Sequence, residues 1–218
     1  MLFVVSTPIG NLEDITLRAI RILKESDYVL AEDTRRTLKL FGHYKIRNKL
    51  ISYNDINKKK KTPSLIKDLK SGKKISIVSD SGTPGISDPG FYLIRECVRN
   101  NIRVVPIPGA TAAISALVSS GLPTDNFTFY GFLPKSKTKI KEILHMIKEK
   151  KETIILYESP YRIMKTLSLM SEIIPNKEIV IARELTKSFE EFIRGKPRDI
   201  LNKAGNRKLK GEITLIIK

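Results

Sequence analysis

Short polar clusters, each directly behind an apolar run, hold most of the side chains in this chain that can do chemistry. Ser6-Thr7-Pro8-Ile9-Gly10-Asn11 follows the first run and Glu32-Asp33-Thr34-Arg35-Arg36 the second. Asp80 to Gly90 and Pro106 to Ala112 close later runs. Tyr157-Glu158-Ser159-Pro160-Tyr161-Arg162 and Ala182-Arg183-Glu184-Leu185-Thr186-Lys187 hold the same position in the second half. Any one of these is an ordinary turn. Together, in one register, they read as the lining of a small-molecule site, because ligands of open α/β sheets bind outside the carboxyl ends of the strands. Glu32, Asp33, Glu158 and Glu184 are candidates to remove a proton, as is Lys187 if burial depresses its pKa. Arg35, Arg162 and Arg183 can position phosphates or steady a developing alkoxide. The pattern ranks none of the bases first. The competing reading for Glu32 and Arg35 is a structural ion pair, and for Glu158-Ser159-Pro160 it is a helix cap.

The elements behind these clusters alternate. Strands are expected over 3–6, 28–31, 50–52, 74–79 and 103–107. Between them the spacing predicts helices over 14–24 (with Ile15, Leu17, Ile20, Ile22 and Leu23 apolar), 34–41 and 91–100. Thr62-Pro63 starts a further helix that Gly72 stops. Asp88 is placed to cap the 91–100 helix with Pro89 in its first position. That leaves Asp80 at a strand end without a capping duty, as a carboxylate suited to a cationic ligand. The Ala110-Thr111-Ala112 turn offers backbone N–H groups at a helix start, where a ligand carboxylate is favoured. Ser120 to Asn126 breaks the pattern, so the expected domains are 1–118 and 119–218. The second has strands over 127–131, 153–157 and 178–182, helices over 136–150 and 161–173, and late strands within 189–194 and 212–217. The fold class is two α/β domains with mixed, mostly parallel sheets.

Charge points to a partner. Across 218 residues, 40 Lys and Arg face 23 Asp and Glu, a net charge of +17. This favours a polyanion, RNA or DNA ahead of a membrane surface, over a plain lysine-rich compositional bias. Lys58 to Lys61 and the alternating Lys135, Lys137, Lys139 and Lys141 are the densest parts. No apolar run is long enough to span a membrane, no charged leader precedes the first strand, and Cys97 is the single cysteine. A cytoplasmic protein is expected, with Cys97 a core residue. Neither a G-x-G-x-x-G nor a P-loop follows an early strand. His43, His145 and Cys97 cannot make a His/Cys zinc site, so no metal is expected.

Ser6 to Leu12, Glu32-Asp33-Thr34-Arg35, Ser79 to Gly90, Glu158-Ser159-Pro160 and Arg183 to Lys187 together resemble one signature. It is that of the ribosomal RNA small subunit methyltransferase I family, within the tetrapyrrole methylase superfamily. The likeness runs from Phe3 to the Lys210–Thr214 run. It implies a class III methyltransferase, with S-adenosylmethionine in a cleft between the two domains, and a homodimer. It also implies 2′-O-methylation of a cytidine in the decoding region of 16S rRNA, in the small ribosomal subunit. By the same resemblance Pro8, Asp80, Gly82, Thr83, Thr111 and Ala112 contact the cofactor from the first domain, and Tyr157, Ala182, Ile213 and Thr214 from the second. Ser81 stands where Ala is usual, and Tyr161 where His is common. Many members also carry a C-terminal helical extension that this sequence does not include. A precorrin-type tetrapyrrole C-methyltransferase would share the cofactor residues, but the Ser6–Leu12, Glu32–Arg35 and Glu158–Pro160 runs resemble the RNA branch. A non-catalytic RNA-binding ribosome assembly factor would bind RNA without the cofactor.

Overall fold

Runs such as Leu2-Phe3-Val4-Val5 are apolar at every position, as strands covered on both faces require. In the computed structural model, which describes residues 1–205 and 209–218, the chain divides into two compact units, Met1–Thr111 and Ala112–Lys218. In the first unit β1 (Leu2–Val5), β2 (Tyr28–Ala31), β3 (Leu50–Ser52), β4 (Ile75–Val78) and β5 (Val104–Ile107) form a sheet in the order β3-β2-β4-β1-β5, parallel throughout. Leu2 and Val4 face α3 (Lys58–Lys70) and α4 (Gly90–Arg99) through Leu65, Leu69, Leu93 and Cys97. Phe3 and Val5 face α1 (Leu17–Glu25) and α2 (Thr34–His43) through Ala19, Ile22, Leu23 and Phe41.

Two helix starts differ most from expectation, each for a local reason. Asn11 caps a single 3-10 turn at Leu12–Asp14, and Thr16 then accepts from Ala19 N, so α1 begins at Leu17. Leu17 is 86% exposed rather than part of the apolar face. The helix expected from Thr62 starts at Lys58, because the Asn54 side chain accepts from Ile56 N and Asn57 N and nucleates the turn earlier. Pro63 therefore lies inside α3, and the acceptor it deprives, the Lys59 carbonyl, belongs to an exposed residue.

The second unit runs α5 (Ala112–Ser120), β6 (Phe127–Phe132), α6 (Lys137–Glu149), β7 (Thr153–Glu158), α7 (Ile163–Ile173), β8 (Ile179–Arg183), β9 (Glu191–Gly195), α8 (Pro197–Ala204) and β10 (Ile213–Ile217). Its sheet order is β6-β7-β10-β8-β9. Only β6 and β7 pair in parallel; β10 is antiparallel to both β7 and β8, and β9 to β8. Ile154, Leu156, Ile181 and Leu215 pack with Leu144, Leu167, Met170 and Ile200 of α6, α7 and α8. The expected break after residue 118 falls inside α5. That helix packs on β7, β8 and β10 of the second unit. Its last carbonyls, on Ser119 and Ser120, accept from Arg194 of β9. α5 is apolar nearly all round, so its sequence carries no sign of which sheet it joins.

Candidate functional site

In the first sheet the chain leaves β1 toward β2 and leaves β4 toward β5, in opposite directions and with helices on opposite faces. The carboxyl ends of β1 and β4 thus flank the switch point where open sheets bind ligands. The loops there are stitched together. Thr7 N donates to Gly82 O at 2.9 Å, and Gly82 N returns a bond to Thr7 O at 3.2 Å. Thr7 Oγ1 donates to Ser79 O. Ser6 Oγ bonds Thr83 Oγ1 at 2.8 Å, and Thr83 Oγ1 donates onward to Ala110 O, so one hydroxyl chain spans the ends of β1, β4 and β5. Gly82 has φ +80°, and a Cβ there would stand 3.3 Å from Ile9 and 3.5 Å from Ala110 O. The turn needs glycine for both reasons.

The same edge is acidic in a basic chain. Asp80 is not idle: its Oδ1 accepts from Asp33 N at 2.9 Å, and Oδ2 lies 3.6 Å from Arg36 Nε. Asp33 caps α2, and the Arg35 guanidinium grips it at 2.6 and 3.0 Å, holding its carboxyl down at about 2. Arg35 therefore pairs with Asp33 and not with Glu32. Half-buried Glu32 has its pKa raised by burial and by the charges of Asp80 and Asp88, only partly offset by the Asp80 N–H it accepts. Asp88 accepts from Gly85 N and Gly90 N and so closes the glycine loop, and burial raises its pKa too. Contrary to expectation the N-cap of α4 is Pro89 and the helix starts at Gly90, because the Asp88 carboxylate is drawn back onto the loop. Pro8, Thr83 and Thr111 are partly exposed on this unit, and Ala112 opens α5.

In the second unit β7 and β8 share a direction because β10 runs against both. Register then places Ile213 opposite Glu158 on one side and Arg183 on the other, with Thr214 opposite Tyr157 and Ala182. The residues expected to touch a cofactor here form adjacent rows across three strands. The polar clusters beyond them are largely self-satisfied. Glu158 is buried. Its Oε1 accepts from Ser159 N and meets Arg162 Nη2 at 2.6 Å, while Oε2 accepts from Thr166 Oγ1. Arg162 also donates to the carbonyls of Leu133 and Pro134. Arg183 binds the carbonyls of Lys210 and Phe189 and pairs with Glu191.

Lys187 sits between Glu184 at 2.8 Å and Glu212 at 3.2 Å. Burial alone would lower its pKa, but those carboxylates outweigh it and raise the pKa instead. Lys187 is therefore a held cation, contrary to the depressed pKa that a base would need. Burial opposes ionisation of Glu184 as well, yet Lys187 and the Glu212 N–H pull its pKa down. Glu184 and Thr186 both have positive φ, +50° and +63°. In a β-branched residue that is strained backbone, a sign of an over-determined loop that the residue pattern does not announce. Arg36 and Thr166 were equally hidden: Arg36 lies next to the more conspicuous Arg35, and Thr166 looks like a small gap in the apolar face of α7.

Cys97 is buried with its thiol pushed up to about 11, and His43 and His145 are exposed. Among the described residues no His, Cys, Asp and Glu side chains group to hold a metal ion, and no helix is long and apolar enough to cross a membrane.

The sequence model of the Tetrapyrrole (Corrin/Porphyrin) Methylases matches residues 1–201. A protein of Halalkalibacterium halodurans named "Ribosomal RNA small subunit methyltransferase I" is 50% identical over 99% of this chain and 75% of its own length. A protein of the same name from Thermotoga maritima is 46% identical over 99% of this chain and 97% of its own. Among solved structures, a diphthine synthase superposes with TM-score 0.77 at 13% identity, covering 99% of this chain and 88% of that one. A uroporphyrin-III C-methyltransferase of Thermus thermophilus, solved with S-adenyl homocysteine, superposes with TM-score 0.66 at 17% identity, covering 99% and 96%. At such identities the superpositions establish the fold.

Proposed function

The chain belongs to the ribosomal RNA small subunit methyltransferase I family of the tetrapyrrole methylases. On that premise we propose that it is a cytoplasmic, homodimeric enzyme that methylates the ribose 2′-oxygen of a cytidine in the decoding region of 16S rRNA, with S-adenosylmethionine as methyl donor. The carrying observation is identity near one half along the whole chain, with the polar strand-end clusters inside the matched stretch.

The first unit's edge fits a methyl donor that carries a sulfonium. Asp80 and Glu32 supply negative charge, Gly82 leaves room beside Ile9, and the Ser6–Thr83–Ala110 chain offers fixed polar groups. Pro8, Thr111 and Ala112 complete that set, with Tyr157, Ala182, Ile213 and Thr214 the contacts proposed from the second unit. When bound, S-adenosylmethionine supplies an electrophilic methyl and a neutral thioether as leaving group. The chain's own residues must align the 2′-oxygen with the C–S axis, exclude water and take the hydroxyl proton. The hydroxyl proton would go to a carboxylate of the chain.

Glu32 is the best-placed acceptor among the candidates. It is half-buried, stands in no ion pair among the described residues, and holds its proton above the ordinary glutamate range. Asp33 is a poor base at about 2, Lys187 stays protonated, and Glu158 and Arg183 position the ends of their strands. Arg35 keeps most of its guanidinium exposed, able to meet a phosphate while Asp33 orients it. The test is nucleoside mass spectrometry of 16S rRNA from cells with and without the gene, followed by methylation of the unmodified small subunit by the purified protein. A 2′-O-methylcytidine that disappears and is restored supports the reading. Unchanged methylation overturns it.

A further inference from the structure

Phe129 and Phe132 are three residues apart and should lie on opposite faces of β6. They do not. A bulge between Phe129 and Gly131 inserts an extra residue, pairing Phe129 with Ile155 and Phe132 with Tyr157. Both rings then close on the Tyr157 ring, at centroid distances of 5.0 and 5.4 Å. Bulges that re-aim a side chain in this way recur beside functional sites. Phe132 ends the row 58% exposed. Beyond β7, Tyr161 is 94% exposed. Its neighbour Arg162 binds the carbonyls of Leu133 and Pro134, which ties the Tyr161 turn to the residues just after Phe132.

The chain then becomes basic. Lys135, Lys137 and Lys139 are exposed, and none of them, nor Lys141, enters an ion pair among the described residues. Lys137 and Lys139 lie in the first turn of α6, which holds no acidic residue and whose Ser136 makes no side-chain cap. Cations are disfavoured at that end of a helix, where the dipole and free N–H groups call for an anion. Exposed rings beside unpaired cations and a positive helix end are the elements of a single-stranded nucleic-acid surface: rings stack on bases and cations meet phosphates.

Building on the proposed RNA substrate, we propose that Phe132 and Tyr161 stack bases of an unpaired RNA strand whose phosphates lie along Lys135, Lys137 and the amino end of α6. This surface reads unpaired RNA and not duplex, because only splayed bases offer their faces to the rings.

The experiment titrates the full-length protein with a 2-aminopurine-labelled single-stranded RNA and with an RNA hairpin duplex. Wild type is compared with Phe132→Ala, Tyr161→Ala, Phe132→Tyr and Tyr161→Phe. Both aromatic positions are exposed, and a melting curve checks each fold. The alanine variants should bind the single strand about 5- to 150-fold more weakly, from about 1–3 kcal/mol per stacked base. The ring-preserving variants should bind like wild type. Lys135→Gln with Lys137→Gln should flatten the salt dependence, by a log–log slope of about 0.7 per lost contact. Alanine variants that bind RNA like wild type overturn the proposal. So does a loss confined to S-adenosylmethionine affinity by calorimetry, or a change of oligomeric state in place of RNA affinity. If wild type methylates the small subunit and the alanine variants do so with unchanged KM, this surface fails and the enzymatic reading stands. Ring-dependent RNA binding without rRNA methylation gives the opposite outcome.

Discussion

Replacing Glu158 with alanine separates a residue that holds the site from one that performs the chemistry. The substitution removes the acceptor of Ser159 N, the partner of Thr166 Oγ1 and the counter-charge of Arg162. Breaking a buried pair by removing one partner costs about 3–5 kcal/mol. Here Arg162 keeps two carbonyl acceptors and its side chain is 26% exposed, which places Glu158→Ala at the lower end, about 3 kcal/mol. At about 2–4 °C per kcal/mol for a chain of this size, the melting temperature should fall by about 6–12 °C. Glu158→Gln keeps the shape and one acceptor and should lose about 1 kcal/mol. In a cycle with Arg162→Ala, the double variant should be more stable than the sum of the singles by about 1–3 kcal/mol. Scanning calorimetry reads the stabilities, and a radiolabelled methyl-transfer assay well below the transition reads kcat. A Glu158→Ala protein that melts with wild type while kcat falls about a hundredfold or more, about 2.7 kcal/mol of barrier, would refute the reasoning and make Glu158 the proton acceptor.

The folded state holds the Glu32 proton to a higher pH than the unfolded chain does, so Glu32 costs stability as pH rises through that window. Glu32→Gln should therefore be at least as stable as wild type at pH 7, yet lose methyl transfer; a glutamine variant with normal kcat removes Glu32 as the base. In wild type the acid limb of the kcat profile should lie above the ordinary glutamate pKa, which a pH–rate series checks. Gly211 has φ +94°, and a Cβ there would sit 2.4 Å from Glu184. Gly211→Ala should cost about 2–4 kcal/mol from backbone strain and the disturbed Glu184–Lys187 pair, visible as a lower urea midpoint. Cys97, with a thiol at about 11, should resist a thiol reagent at pH 8 in the native protein and react once unfolded; rapid native labelling would contradict its burial.

Local signals were legible and long-range ones were not. The strands Tyr28–Ala31 and Ile75–Val78 and the polar clusters behind them follow from largely apolar runs meeting turn residues, a pattern written within a few positions. Strand–helix alternation likewise suffices for the parallel first sheet. The antiparallel course of β10 rests on pairing with residues far away in sequence, so nothing in Ile213–Ile217 declares it. At the site, residue types identify which groups could act, but burial and partners decide which are spent. Lys187 and Glu158 look reactive as letters and are satisfied in space, while Glu32 is distinguished by its burial and by the carboxylates that surround it.

The place of β10 also sets an order for making the protein. Every strand of the first sheet has been synthesised by residue 107, so that unit can fold while translation continues. The second sheet cannot. Its middle is the last described segment to leave the ribosome, and until then β7 and β8 are open edges with unpaired backbone groups. A nascent chain cut before Ile213 does not become a slightly shorter enzyme. It becomes a half-finished sheet with a gap through its centre, a target for chaperones and proteases.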